Sequence, residues 1–209
     1  MMKDKTPAAD AYDWFDPLYA QAEGDATQVP WALSGPAPSL VDWLATQESR
    51  GRSAVVVGCG LGDDAEALAA AGFKVTAFDV AQSAIAWAEN RFPDSAVTYT
   101  VADLFNLPEN WSGKFDLVFE FRTLQALPIK VRSAAVEHVA LLAKPGGTVL
   151  VTTYTRDGDE VPDGPPWPLS EPELAHFEEI GLSVVERKRF QVKKSRFGSR
   201  TQIQYQKPD

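Results

Sequence analysis

Ser53-Ala54-Val55-Val56-Val57-Gly58-Cys59-Gly60-Leu61-Gly62-Asp63-Asp64 decides the fold. A valine-rich run ends in a turn with glycine at every second position, and a segment of helical character follows. Glycine there permits backbone angles closed to other residues and lets a second group approach the main chain closely. A tight strand-to-helix turn that binds nothing is the lesser reading of it, beside a turn that cradles a ligand. Working outward, residues 53–59, 74–80, 97–102, 115–121 and 148–155 are rich in Val, Phe and Thr and read as strands. Several are near-continuous apolar runs, which suits parallel strands covered on both faces. Between them, residues 63–71, 82–92 and 123–143 read as helices. Alternating strand and helix implies right-handed crossovers and a mostly parallel sheet.

Beyond the fifth strand the pattern changes. Residues 156–169 hold four prolines and two glycines and read as a long loop. Ser170-Glu171-Pro172-Glu173 has the form of a capping box, with Ser170 as N-cap and Glu173 at N3, and the helix it opens should end at Gly181. Residues 182–194 and 200–207 read as two final strands. The link 195–199, with Gly198 supplying the turn, is short enough to force them antiparallel. The expected fold class is α/β: a Rossmann-like three-layer sandwich whose seven-stranded, mostly parallel sheet ends in an antiparallel hairpin. Upstream, Tyr12, Trp14, Phe15, Tyr19 and Trp31 stand among Pro17, Pro30, Pro36 and Pro38, outside the alternating pattern. Residues 40–47 then read as one more helix with Ser39 as N-cap. An arm this aromatic is expected to fold over one end of the sheet, because free it would expose a large apolar surface. One domain over residues 1–209 is expected: an arm at 1–39, a core at 40–155, and a closing loop, helix and hairpin at 156–209.

Composition narrows the functional classes. The chain has 209 residues, 44% of them hydrophobic and 23% charged, which suits a soluble globular protein. No apolar run approaches the roughly 18 residues that span a bilayer, and Met1-Met2-Lys3-Asp4-Lys5 leads into polar residues instead of an export signal. The single cysteine, Cys59, cannot form an internal disulfide, so a reducing cytoplasm is expected. Two histidines and one cysteine are too few for the usual His- or Cys-rich metal sites, so no metal is expected. The net charge of −9 argues against a general nucleic-acid binder. From Arg187 onward, however, eight basic residues face one acid, Asp209, while the rest of the chain has 12 basic and 28 acidic residues. That tail either marks an anion-binding surface or protects an exposed strand edge from pairing, and edge protection is the simpler reading.

Two further features bear on what the glycine turn binds. A dinucleotide-binding turn wants its third glycine five residues after the first, where this chain has Asp63; an acid opening the helix would repel a pyrophosphate. Asp79 ends the second strand, where a carboxylate can accept both hydroxyls of a ribose. A nucleoside without phosphates fits both, and S-adenosylmethionine (SAM) is such a ligand.

Gly58-Cys59-Gly60-Leu61-Gly62, Asp79, Ala102-Asp103 and the stretch Leu142–Gly147 together resemble a class I SAM-dependent methyltransferase over about residues 40–155. The resemblance implies that Gly58, Cys59, Gly60 and Gly62 face the methionyl part and that Asp79, with Val80, holds the ribose. It implies that Ala102, Asp103 and Leu104 border the adenine, and that Glu120, Phe121 and Arg122 lie beside the methyl transfer. Lys144-Pro145-Gly146-Gly147 matches the turn before the fifth strand in that family, and the closing antiparallel hairpin is a family hallmark. Many members carry an acid two residues before the first glycine; here that residue is Val56. Asp63, Asp64 or the arm are the candidates to replace it, although acids opening a helix also serve as simple caps. Trp14, Pro30-Trp31 and Pro38-Ser39-Leu40 resemble, more closely, small-molecule methyltransferases of the thiopurine, halide-thiol and tellurite-resistance kind. There an aromatic arm covers SAM, which makes Trp31 a cofactor contact and leaves S-adenosylhomocysteine (SAH) as product.

Methyl transfer from a sulfonium is an in-line displacement that needs alignment and exclusion of water more than proton transfer. Trp14, Phe15, Tyr19, Tyr154 and Trp167, with Arg122, are the expected walls of the substrate pocket, although ordinary core packing explains each aromatic singly. Glu120 is the candidate general base for an amine or alcohol acceptor; contact with the cofactor or with Arg122 explains it equally well. The expected acceptor is a small molecule: a thiol, halide, metalloid or other soft nucleophile. The competing readings are aminopropyl transfer, RNA methylation, and SAM binding without catalysis. Nucleic acid is disfavoured because Glu120-Phe121-Arg122-Thr123 stands where base methylases carry an Asp/Asn-Pro-Pro-aromatic motif. No membrane partner is expected, and monomer and dimer both stay open.

Overall fold

In a computed structural model the chain is described over residues 12–158, 160–191 and 199–209. Seven strands, β1 (Ser53–Val57), β2 (Lys74–Asp79), β3 (Thr98–Val101), β4 (Phe115–Phe121), β5 (Ala143–Thr155), β6 (Ser183–Gln191) and β7 (Ser199–Gln206), form one sheet. Their order is β3-β2-β1-β4-β5-β7-β6. Strands β1 to β5 pair in parallel, whereas β7 runs antiparallel to both β5 and β6. The chain moves outward from β1 to β3 and then returns to lay β4 on the other side of β1. The crevice at that reversal, outside the carboxyl ends of β1 and β4, is where open α/β sheets bind ligands.

Among the described residues six α-helices accompany the sheet: α1 (Phe15–Gln21), α2 (Pro38–Leu44), α3 (Asp63–Ala70), α4 (Gln82–Arg91), α5 (Ile129–Leu142) and α6 (Glu171–Glu179). Alternation along the strands sorts their side chains into two cores. Val55, Val57, Val118, Val149 and Val151 pack with Val136 and Val139 of α5 and Phe177 of α6. On the other face, Ala54, Val56, Leu117, Phe119 and Leu150 pack with Leu40 and Trp43 of α2 and Leu68 of α3. Burial on both faces is why these strands read as continuous apolar runs. The capping box forms as read, with Ser170 Oγ accepting from the Glu173 N–H and Glu173 accepting from the Ser170 N–H.

Three boundaries differ from expectation. The helix expected over 123–143 is broken: Leu124–Ala126 form a 3-10 turn, and α5 starts only at Ile129. Pro128 disfavours helical angles at Leu127, which is extended at φ −90° and ψ 143°, so the chain turns before it coils. Ser39 is not an N-cap. Pro38 takes the first helical position and Ala37 is the cap residue. The Ala37 N–H is met from across the chain by Asp64 Oδ1 at 2.7 Å. Finally, β5 begins at Ala143, not at 148. Phe115 pairs with Ala143 and Leu117 with Thr148, so Lys144-Pro145-Gly146-Gly147 is a bulge within the strand.

The sheet edge β6 is exposed along nearly its whole length. Part of its positive charge is neutralised locally, Arg187 by Glu171, Lys188 by Glu186 and Arg189 by Asp157. Such exposed pairs are worth little in stability but suit a blunted edge. Lys193, Lys194, Arg196 and the turn residue Gly198 lie outside the described residues. Among those described, no helix is long and apolar enough to cross a membrane.

Candidate active site

A cavity of about 470 Å³ opens at the carboxyl ends of β1, β2 and β4, within the roughly 300–1,000 Å³ usual for small-molecule sites. Its floor is the glycine turn. Gly60 has φ +51°, and a Cβ there would stand 2.9 Å from the Tyr19 hydroxyl. A Cβ on Gly58 would collide with the Thr123 side chain, whose hydroxyl donates to Val57 O at 3.0 Å. The turn therefore presents bare backbone to the cavity, and Cys59 and Gly62 line it as well. Gly60→Val forces a branched side chain into positive φ and into Tyr19, with expected loss of both SAH binding and several degrees of melting temperature. Calorimetry and thermal unfolding check this; unchanged SAH affinity would remove the glycine turn from the site.

Asp79 is buried at the end of β2. Its Oδ2 accepts from the Gly60 N–H at 2.9 Å and its Oδ1 from the Ala81 N–H at 3.0 Å. Burial raises its pKa, and these backbone donors oppose the shift. One carboxylate thus ties the first turn to the second, and each oxygen keeps lone-pair capacity for a further donor. Val80, Ala102, Asp103 and Leu104 line the same wall. Asp103 accepts from the Tyr12 hydroxyl at 2.7 Å and from the Phe105 N–H at 2.8 Å.

The aromatic arm covers this floor. Trp31 meets Trp14, Phe15 and Tyr19 edge-on at 5.6, 5.7 and 5.7 Å, and its Nε1–H donates to the Tyr19 hydroxyl at 2.7 Å. Asp16 of α1 accepts from the Ser83 N–H at 2.7 Å, capping α4 and fixing the arm to the scaffold. On the far side, Arg122 holds the left-handed angle φ +69°, a strained conformation for a non-glycine residue. It stacks over Phe121 at 4.6 Å and donates to Trp31 O at 3.3 Å, linking β4 to the arm. Arg200 stacks on Tyr154 at 5.0 Å behind it, and burial together with that second cation lowers the pKa of Arg122.

Two expected site residues do not reach the cavity. Glu120 is fully buried behind its wall: Oε1 accepts from the Leu124 N–H at 2.9 Å, while Oε2 has no hydrogen-bond partner among the described residues. Alternation along β4 turns it away from the face that Phe119 shares. Glu120 thus braces the 3-10 turn after β4, and its placement agrees neither with a general base nor with a cofactor contact. Burial pushes its pKa up to about 7. A pKa raised above the unfolded value of about 4.5 stabilises fully below pH 4.5, and that contribution is lost as pH rises through 7. Glu120→Gln should therefore lose less stability than the parent between pH 5 and 8, by up to about 3 kcal/mol. Urea unfolding at the two pH values measures this, and identical losses would refute it.

Trp167 also stands outside the cavity. Its N–H donates to Gln125 O at 2.7 Å and its carbonyl accepts from Arg132 at 2.6 Å, so Pro165 and Pro166 reach the lining instead. Tyr12, Thr123, Gln125 and Leu127 line the cavity without having been singled out as site residues. Tyr12 had a signal, as one of the arm's aromatics. The others had none, because the break before Pro128 alone brings them there.

A seven-stranded Rossmann-like sheet closed by an antiparallel strand, with a bare glycine turn on β1 and an acid ending β2, defines a class I SAM-dependent methyltransferase. The cavity fits that cofactor: side-chain-free backbone for close approach, a buried carboxylate for a diol, and apolar walls. Residues 21–205 match the thiopurine S-methyltransferase family, and this chain belongs to it; it is an enzyme that methylates small molecules with SAM as donor. It is 28% identical over 159 residues to probable thiol methyltransferase 2 of Arabidopsis thaliana, covering 75% of this chain and 68% of that one. It is 26% identical to the 2-heptyl-1-hydroxyquinolin-4(1H)-one methyltransferase of Mycobacteroides abscessus, over 71% of this chain and 66% of the relative. The match to the ubiquinone biosynthesis O-methyltransferase of Methylococcus capsulatus is 32% identical and covers 70% of this chain but 58% of the relative. The chain thus spans about three-fifths to two-thirds of these relatives' lengths. In fold, it matches N-methyltransferase NodS from Bradyrhizobium japonicum bound to SAH with TM-score 0.72 and 21% identity, over 93% of this chain and all of that one. It also matches the 1,6-didemethyltoxoflavin-N1-methyltransferase of Burkholderia thailandensis with TM-score 0.74 and 17% identity, over 98% and 93% of the two chains.

Proposed function

We propose that the chain methylates a small, soft nucleophile, a thiolate foremost, enclosed beneath the aromatic arm. The observation that carries this reading is the charge at the β4 end of the cavity. The ionised group lining it there is Arg122, with Arg200 behind, and the acid expected to serve as base is withdrawn behind the wall. A cation beside a thiol favours its thiolate, so the site gains an ionised nucleophile without a proton acceptor. The similarity to a probable thiol methyltransferase supports the same acceptor.

Bound SAM supplies an electrophilic methyl on a sulfonium whose leaving group needs no proton. The chain's own part is placement and exclusion. The glycine turn and Asp79 are placed to hold the methionyl and ribose portions, and Ala102, Asp103 and Leu104 the adenine. Trp14, Phe15, Tyr19 and Trp31 close over them and keep water out, which matters because water stabilises the charged starting state more than the charge-dispersed transition state. Phe121, Arg122 and Tyr154 orient the acceptor.

A screen of thiols, halides, metalloid anions, amines and phenols with labelled SAM tests this. Aromatic or alkyl thiols should exceed phenols and amines of the same shape by at least about tenfold in kcat/KM, or about 1.4 kcal/mol. A phenol or amine turned over faster than its thiol counterpart would move the reading to oxygen or nitrogen methylation, and with it the need for a base.

A further inference from the structure

Four carboxylates line the cavity, and they are not equally free. Both oxygens of Asp63 are taken by Arg91, at 2.6 and 2.9 Å. Asp79 meets two backbone N–H groups, one on each oxygen. Asp103 meets the Tyr12 hydroxyl on one oxygen and the Phe105 N–H on the other. Asp64 differs: Oδ1 accepts from the Ala37 N–H at 2.7 Å, and its other oxygen has no hydrogen-bond partner among the described residues.

Among the described residues, Asp64 also has no cation in contact. Arg91 is held by Asp63, and Arg122, whose charge Asp64 feels, spends its hydrogen bond on Trp31 O and stacks over Phe121. Val56, two residues before the first glycine of the turn, points into the apolar core beside α3 and offers no charge. SAM ends in an α-amino acid whose ammonium group needs an anionic acceptor when it leaves water.

We propose that Asp64 is the carboxylate that receives the methionyl ammonium of SAM, doing so with the oxygen that Ala37 leaves free. This rests on the reading of the cavity as a SAM site. Asp64 would then join two parts of the site, the strap ending at Ala37 and the floor begun by Gly58, around the bound amino acid. Its electrostatics agree: burial pushes its pKa up to about 6, against the Ala37 N–H and Arg122, which draw it down. A half-buried carboxylate so raised gains from a cation placed against it.

The test is calorimetry on the whole chain with SAH and with its analogue lacking the α-amino group, using the parent, Asp64→Asn and Asp64→Ala. Asn keeps an oxygen for the Ala37 N–H and removes only the charge. The parent should bind SAH at least about tenfold more tightly than the desamino analogue, as loss of a charge-assisted hydrogen bond predicts. Asp64→Asn should bind both alike, with its affinity for the analogue within about twofold of the parent's. If Asp64→Asn still discriminates, or if it weakens SAH and the analogue equally, Asp64 serves only to hold Ala37 and the proposal fails. A parent that binds SAH without discrimination also overturns it. A parent that binds neither overturns the SAM reading itself, a result distinct from the other two. Asp64→Ala, which removes the Ala37 contact as well, should weaken the analogue as well as SAH.

Discussion

Removal of residues 1–35 is expected to abolish turnover, by more than about a hundredfold, while the sheet and its flanking layers remain folded and still bind SAH weakly. The arm is half of the cavity: Trp14, Phe15, Tyr19 and Trp31 all line it. It is fixed at three described points, Asp16 on Ser83, Tyr12 on Asp103, and Trp31 O under Arg122. Without it the floor opens to water and Arg122 loses the carbonyl that orients it, so alignment and exclusion fail together. The two cores flanking the sheet draw almost entirely on residues after 36 and should survive. What the truncation uncovers is the smaller cluster of Leu61, Ala81 and Ala84. Labelled-SAM turnover with the preferred acceptor, alongside circular dichroism, decides the matter. Full-rate methylation by the folded truncation would refute the lid, and the surface beside Arg122 would then be an open site for a larger substrate.

Asp79→Ala is expected to weaken SAH binding by about 1.5–3 kcal/mol, roughly ten- to 150-fold, the usual cost of losing hydrogen bonds to a charged acceptor. The structure adds a second consequence. The same carboxylate satisfies the Gly60 and Ala81 N–H groups, so its removal leaves two buried donors unmet and loosens the glycine turn. Asp79→Asn, which retains one acceptor, should lose less stability than Asp79→Ala yet still bind SAH more weakly than the parent. Calorimetry and urea unfolding separate the two effects. Unchanged affinity in a folded Asp79→Ala protein would mean that the ribose is held elsewhere.

Most of the scaffold is legible in the residues because its determinants are local. Apolar runs of strand length, glycine at alternate positions, and Ser170 with Glu173 each act within a few residues, and apart from the earlier start of β5 the structure places strands, turn and capping box where they indicate. One wall of the cavity was legible for the same reason. Gly58, Gly60, Asp79 and Asp103 each stand at the carboxyl end of a strand, and parallel topology gathers those ends at one edge. The aromatic arm was legible as something that must cover apolar surface, though not in how it is fastened.

The wall at the end of β4 was not legible in this way. Glu120 and Arg122 are two residues apart at the end of β4, and no pattern tells which one faces the cavity. Strand alternation buries Glu120 beside the 3-10 turn at Leu124, and a left-handed angle turns Arg122 inward, under the arm's Trp31. Gln125 and Leu127 line the site because Pro128 breaks a helix that the periodicity would continue. The pair Pro165 and Pro166 displaces Trp167 because Gln125 and Arg132 pin the tryptophan's backbone. The four acids of the cavity look alike as residues, and only their partners distinguish them. Arg91, Tyr12 and backbone donors reach both oxygens of three, while Ala37 reaches only one of Asp64's. Local composition and spacing thus determined the elements, their order and the sheet edge at which the cavity opens, since those depend on neighbours along the chain. Which side chains share one small volume, and which retain an unused hydrogen-bonding oxygen, was decided by tertiary packing, because such contacts join residues distant in sequence.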